Sequence, residues 1–176
     1  MMSVERLPPP KSRTVAVITV SDTASSGVRK DVSGAKVAEV LRAHKFKIVS
    51  TEIVADEVAT IQHAILRGAA KARLVVTTGG TGIAARDVTP EATRPLCEKL
   101  IEGIAERMRS EGAKKTAFAA LSRGVCGIRS KTLILNLPGS PSGAVDSLQA
   151  VIDQLLHAMD LLAGNTEHTS SAPSRD

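Results

Sequence analysis

Two near-continuous apolar runs constrain this chain most: RTVAVITVS (13–21) and RLVVTT (73–78), each ending abruptly in a polar or glycine-rich loop. Both are rich in β-branched residues, and neither alternates apolar with polar positions. Runs of that kind suit strands covered on both faces, as strands of a parallel sheet are. FKIVSTEIV (46–54) reads as another strand. Residues 125–137 hold CGIR, a turn near Ser130-Lys131, and TLILNL, which predict one or two more.

Between the runs the apolar period becomes helical. Val37, Val40, Leu41 and His44 share a face over 35–45, and Val58, Ile61, Ile65 and Leu66 share one after Asp56. Thr89-Pro90-Glu91 opens a helix, with Thr89 as N-cap and Pro90 in the first position. That pattern runs to about Arg109, with room for a break, and a short helical segment follows near 115–122. A last helix over 144–163 carries Leu148, Ile152, Leu155 and Met159 inward, with Gly164 at the C-cap glycine position. Strands alternating with helices predict a three-layer α/β/α sandwich around a mostly parallel sheet. One domain is expected over 13–164, between tails at 1–12 and 165–176.

Charge narrows the ligand class. From Arg107 to Lys131 there are seven basic residues against one acidic residue, Glu111. A nucleic acid or a phosphorylated small molecule would fit such a stretch. The only aromatic residues are Phe46 and Phe118, which argues against base stacking on single strands, and no nucleic-acid motif is present. Small anionic ligands are therefore expected, and no nucleic acid. No apolar run reaches the roughly 18 residues of a membrane span, so no membrane partner is expected. With no apolar signal segment and two lone thiols, Cys97 and Cys126, the chain reads as cytoplasmic. None of the four histidines has a matching partner.

The loops at 22–34, 79–88 and 138–143 each follow a predicted strand, so they gather at one sheet edge, where such folds bind ligands. In TTGGTG, glycines at 79, 80 and 82 let the backbone turn sharply and present amides to an anion, or simply make a tight turn. Asp87 lies between this loop and a helix start. A carboxylate beside phosphate oxygens needs a cation between them, so Asp87 is a candidate Mg²⁺ ligand, or else a support for the positive helix end. Asp56 either caps the following helix or shares that metal. Asp22 and Asp31 flank a loop with Ser33 and Gly34; Ser33 is either a ligand contact or a helix cap. Ser122-Arg123 and Arg129 are candidate phosphate or pterin contacts, or plain surface.

Taken together, VSDTASSG with DVSG, TTGGTGIAARDVTPEA, and LSRGVCGIRSKTLILNLPGSP resemble the MogA/MoaB family of molybdenum-cofactor biosynthesis, over about residues 13–163. The stretch from KKTAFAALSR onward is closer to the MogA branch. The resemblance implies a homotrimer that binds molybdopterin and ATP, and Mg²⁺-dependent transfer of AMP to the molybdopterin phosphate with release of pyrophosphate. It implies two essential aspartates, matched by Asp56 in IVADE and Asp87 in RDVTPEA, both catalytic and both holding the metal. Ser122 matches a family serine. The substrate-binding expectation covers Asp22, Ser33 and Gly34 in the first loop and Thr78, Gly79, Gly80, Thr81, Gly82 and Arg86 in the second. It is completed by Ser122 and Arg123, and by Pro138, Gly139 and Ser140. Thr23, Ala55 and Ser142-Gly143 depart from the family pattern. The alternative is a non-catalytic molybdopterin-binding or assembly protein of the MoaB type, and other assembly proteins are candidate partners. A CinA-like pyrophosphatase is disfavoured, because GIAARD stands where that family has a GPTxDD-like sequence.

Overall fold

The computed structural model describes residues 13–165, so the expected tails, 1–12 and 165–176 apart from Asn165, lie outside the described residues. Four strands run parallel: β1 (Thr14–Val20), β2 (Lys47–Val54), β3 (Leu74–Thr78) and β6 (Thr132–Leu137). A hairpin partner, β5 (Cys126–Arg129), and a two-residue strand, β4 (Lys99–Leu100), are added antiparallel, giving the order β2-β1-β3-β6-β5-β4.

The central strands are apolar throughout because both faces are covered. Val15 and Val17 of β1 join Leu74 and Val76 of β3 in one core, beneath α2 (Ser33–Ala43), α5 (Glu102–Ala113) and α6 (Pro141–Leu162). Ala16, Ile18 and Val75 face the other way, packing against Ile61 and Ile65 of α3 (Val58–Lys71) and Ala92 of α4 (Thr89–Thr93). The three-layer sandwich is thus the observed architecture. Edge strand β2 is half exposed, and its sequence KIVSTEIV is accordingly the most polar of the longer strands.

Two local expectations need correction, and the break allowed before Arg109 is located. Thr89 is not the N-cap: Val88 is, and the Thr89 hydroxyl instead donates 2.9 Å to the Gly79 carbonyl. The helical pattern to Arg109 is interrupted after Thr93 by a 3-10 turn (Arg94–Leu96) and by β4. Edge pairing outweighs helical propensity there, since the Glu98 and Ile101 amides each donate 2.8 Å to strand β5. Ser33 is the first residue of α2 rather than its cap, which is Val32; Asp31, just before it, accepts from the Gly34 amide at 2.9 Å and from Thr19 Oγ1 at 2.8 Å.

Two turns come out as the sequence reads them. The turn at Ser130-Lys131 joins β5 to β6, with Ser130 at φ 52. Gly164, at φ 91, follows the end of α6, where a left-handed residue closes the last turn. Buried Asn136 of β6 donates 3.0 Å to both Thr77 Oγ1 and Thr93 Oγ1 and accepts from the Val125 amide at 3.3 Å, tying β6 to β3, α4 and the chain entering β5.

Candidate active site

All four parallel strands point their carboxyl ends to one edge, so the segments after Val20, Val54, Thr78 and Leu137 meet there. Beyond β1 the chain makes a single helical turn, α1 (Asp22–Ser25), capped by Ser21 Oγ, which accepts from the Ala24 amide at 3.2 Å. Beyond β2 comes Asp56. It is not a helix cap, since Glu57 holds that position in α3. Instead Asp22 and Asp56 exchange bonds. The Asp22 amide donates to Asp56 Oδ2 at 2.8 Å, and the Asp56 amide donates to Asp22 Oδ1 at 2.9 Å.

Beyond β3 the backbone folds back on the sheet. Gly79 has φ 103 and Gly80 has φ 67, a region that side chains oppose. A Cβ on Gly79 would stand 2.2 Å from the Val20 carbonyl oxygen, so glycine is required there by contact as well as by turn geometry. Fully buried Thr78 braces the loop, with its hydroxyl 2.7 Å from the Pro138 carbonyl and 3.1 Å from Ser33 Oγ. Among the described residues, the amides of Gly80, Thr81 and Gly82 donate to no protein acceptor. Three successive free amides in a glycine-rich turn can cradle an anion.

Asp56 and Asp87 line one cavity of about 480 Å³ together with Ser33, Gly79, Gly80 and Ser140. Each carboxylate is held by one oxygen and keeps the other open. Asp56 Oδ2 takes the Asp22 amide, and Asp87 Oδ2 accepts from the Ala84 amide at 2.9 Å. Partial burial raises the Asp56 carboxyl above its ordinary range, and the charges of Asp22 and Asp87 add to this against the Asp22 amide. Asp22 goes the other way, lowered first by the Asp56 amide and then by Arg86. No group of three or more acidic, histidine or cysteine side chains that could hold a metal occurs among the described residues. Two carboxylates with open oxygens beside an anion cradle nonetheless fit Mg²⁺, which takes one or two carboxylates, completing its shell with phosphate oxygens and water.

A second cavity, of about 620 Å³, adjoins the first at Gly139 and Ser140. Its walls include Thr81, Gly82, Ser122 and Pro138 from the expected set. It also takes in Met108 and Arg109 of α5, Lys115, and Phe118 of a 3-10 turn (Ala117–Leu121). Gly34 stands apart from both, over a third cavity of about 560 Å³ between α2 and β2.

The three expected phosphate-binding arginines are engaged elsewhere. Arg86 makes a two-pronged ion pair with Asp22, Nε and Nη2 each 2.9 Å from a carboxylate oxygen. Arg123 spends its donors on the Gly82 and Asp87 carbonyls and on Glu91. Arg129 donates to the Leu96 carbonyl at 3.1 Å and lines neither cavity. Arg29 and Lys30, unassigned from sequence, line the carboxylate cavity, and Arg109 and Lys115 line the larger one. Arg109 and Lys115 lie inside the basic stretch 107–131, so the charge count carries their signal; nothing marks Arg29 and Lys30 beyond their position in the first loop.

The family model described as a probable molybdopterin binding domain matches residues 16–158. The molybdopterin adenylyltransferase of Helicobacter pylori is 43% identical over 155 residues, covering 86% of this chain and 88% of that protein. Its counterpart in Escherichia coli K12 is 38% identical over 144 residues, or 79% of this chain and 73% of that protein. Among solved structures, the molybdopterin biosynthesis enzyme MoaB of Thermus thermophilus superposes with a TM-score of 0.81 at 47% identity, covering 86% of this chain and 96% of that one. The match spans every strand end that builds the two cavities, and the chain belongs to the MogA/MoaB-like family of molybdopterin-binding domains.

Proposed function

We propose that this chain is a molybdopterin adenylyltransferase, a nucleotidyltransferase of molybdenum-cofactor biosynthesis that moves AMP from ATP to the molybdopterin phosphate and releases pyrophosphate. The observation that carries the reading is the pair Asp56 and Asp87, facing one cavity with an open oxygen each, beside free loop amides and a second adjoining cavity. Two substrates need two places, and the boundary at Gly139 and Ser140 is where their phosphates would meet.

An ionised phosphate oxygen is already a nucleophile, so the protein's task is alignment and charge neutralisation. The Gly80, Thr81 and Gly82 amides would hold phosphate oxygens, with Arg29 and Lys30 lining the same cavity as Gly80. The larger cavity, with Phe118 and Met108 on its wall, suits a flat heterocycle. Asp56 and Asp87 would hold Mg²⁺, which when bound neutralises triphosphate charge and the charge developing on leaving pyrophosphate. Asp22 aligns Asp56 through the exchanged amide bonds, and Arg86 offsets the negative charge of Asp22.

A homotrimer is part of this proposal by family resemblance, as is action in the cytoplasm, with other assembly proteins as candidate partners. Phe118 and Leu121, 79% and 48% exposed, offer apolar surface for assembly. Among the described residues no helix is long and apolar enough to cross a membrane. The test is pyrophosphate release from ATP and Mg²⁺, with and without molybdopterin. Release that requires molybdopterin supports the enzyme. Binding of molybdopterin without release would leave a carrier or assembly protein instead.

A further inference from the structure

Arg123 has the chemistry of a phosphate ligand, yet its guanidinium faces protein oxygens. Its Nε donates 2.7 Å to the Gly82 carbonyl and Nη2 donates 2.7 Å to the Asp87 carbonyl. Nη1 pairs with Glu91 of α4. Its own amide donates 2.8 Å to the Thr81 carbonyl, which fixes the base of the side chain on the same loop. The two carbonyls it reaches belong to the two ends of segment 82–87. Inside that segment the Ala84 amide donates to Asp87 Oδ2, and the Asp87 amide donates 2.9 Å to the Ala84 carbonyl. The segment is therefore a small closed loop whose mouth a single side chain spans. A planar fork with five N–H donors can hold three separate acceptors at once, whereas a lysine ammonium is a single point on a flexible stem.

We propose that Arg123 is a positioning residue for Asp87: by spanning the Gly82 and Asp87 carbonyls, braced by Glu91, it holds the Asp87 carboxylate where the metal-bearing nucleotide needs it. The functional half of this assignment rests on the adenylyltransferase reading, and the mechanical half on the hydrogen bonds alone. Glu91 lines neither cavity, so any effect of changing it has to travel through Arg123 or α4. Misplacing a catalytic group by about 1 Å costs roughly 100-fold in rate, so this scaffold matters as much as a direct contact.

The test measures binding of a non-hydrolysable ATP analogue by calorimetry, with and without Mg²⁺, alongside amide exchange across 82–88. The proteins are the wild type, Arg123→Lys and Glu91→Gln. In Arg123→Lys the metal-free Kd stays within about twofold of wild type, while the tightening produced by Mg²⁺ falls by about tenfold. Exchange across 82–88 speeds up. Glu91→Gln moves both readouts the same way, by less. An equal loss of affinity with and without metal, together with unchanged exchange, overturns the proposal and makes Arg123 a phosphate contact. If Arg123→Lys does not fold, a Glu91→Gln protein with both readouts unchanged also overturns it. Absence of any Mg²⁺ effect in the wild type would sink the adenylyltransferase reading, and exchange across 82–88 would still decide whether Arg123 holds the loop.

Discussion

The two adjoining cavities are made in different ways. The carboxylate cavity is built from strand ends: Val20, Thr78, Gly79 and Asp56 follow or end parallel strands, and the Pro138 and Gly79 carbonyls beside them accept from the buried hydroxyls of Thr78 and Thr89. The larger cavity shares the strand-end loops at Gly82 and Gly139 but takes its outer wall from helix flank and turn, where Met108, Arg109, Lys115 and Phe118 belong to α5 and the segment after it. Strand ends in a doubly covered sheet cannot move without disturbing the core on both faces. Side chains on a short turn can. Under the proposed function, the contrast would put rigid chemistry in the first cavity and adaptable ligand contact in the second.

The sharpest way to break this contrast is Asp56→Asn. The amide keeps an oxygen to accept from the Asp22 amide but loses the charge, so kcat should fall by at least about 100-fold. Stability should go the other way. The Asp56 carboxyl is raised in the folded chain, chiefly by burial, so the unfolded chain releases this proton first. Folded protein then binds more protons across the window above the ordinary carboxylate value, and stability drops as pH climbs through it. Removing the charge removes that loss, and thermal melting at neutral pH should show Asp56→Asn at least as stable as the parent. A clear drop in melting temperature would mean that the charge supports the fold.

Gly79→Ala comes next. Positive φ and a Cβ 2.2 Å from the Val20 carbonyl should cost about 2–4 kcal/mol in denaturant unfolding. A neutral result would show the loop to be far softer than its contacts indicate. In the larger cavity, Arg109→Ala makes a smaller change. The Arg109 side chain has no hydrogen bond or ion pair among the described residues, so stability should move by under about 0.5 kcal/mol. Substrate affinity should weaken by about tenfold if this wall binds an anion, read as KM or by calorimetry. Smallest of all is the thiol pair: Cys126 is pushed up to about 12 by burial, with Cys97 beside it, so it should resist alkylation at pH ~8 in the folded protein. Rapid labelling would show that the β5 edge opens.

Much of this is legible in the sequence, and the reasons are specific. Uniformly apolar β1 and β3 announce a doubly covered parallel sheet. GGTG after RLVVTT announces the loop, because only glycine tolerates the φ of 103 and 67 found at Gly79 and Gly80. Asp56 and Asp87 stand out as a pair, and the fold does bring both to one cavity. What the sequence hides is contact between segments far apart in the chain. Thr89 has every mark of a cap, but Gly79, ten residues earlier, takes its hydroxyl. Arg123 carries a phosphate-binding fork, but carbonyls 36 and 41 residues away take its donors.

The sequence by itself thus determined which long segments become strands, where the chain must turn back on itself, and which carboxylates stand at the sheet edge. Those properties follow from side-chain burial period and backbone freedom, both of which are local. The tertiary structure alone decided which polar groups are used up inside the protein and which remain open to a ligand. A hydrogen-bond donor is free or engaged according to what the fold places within about 3 Å of it, and no run of neighbouring residues encodes that distance.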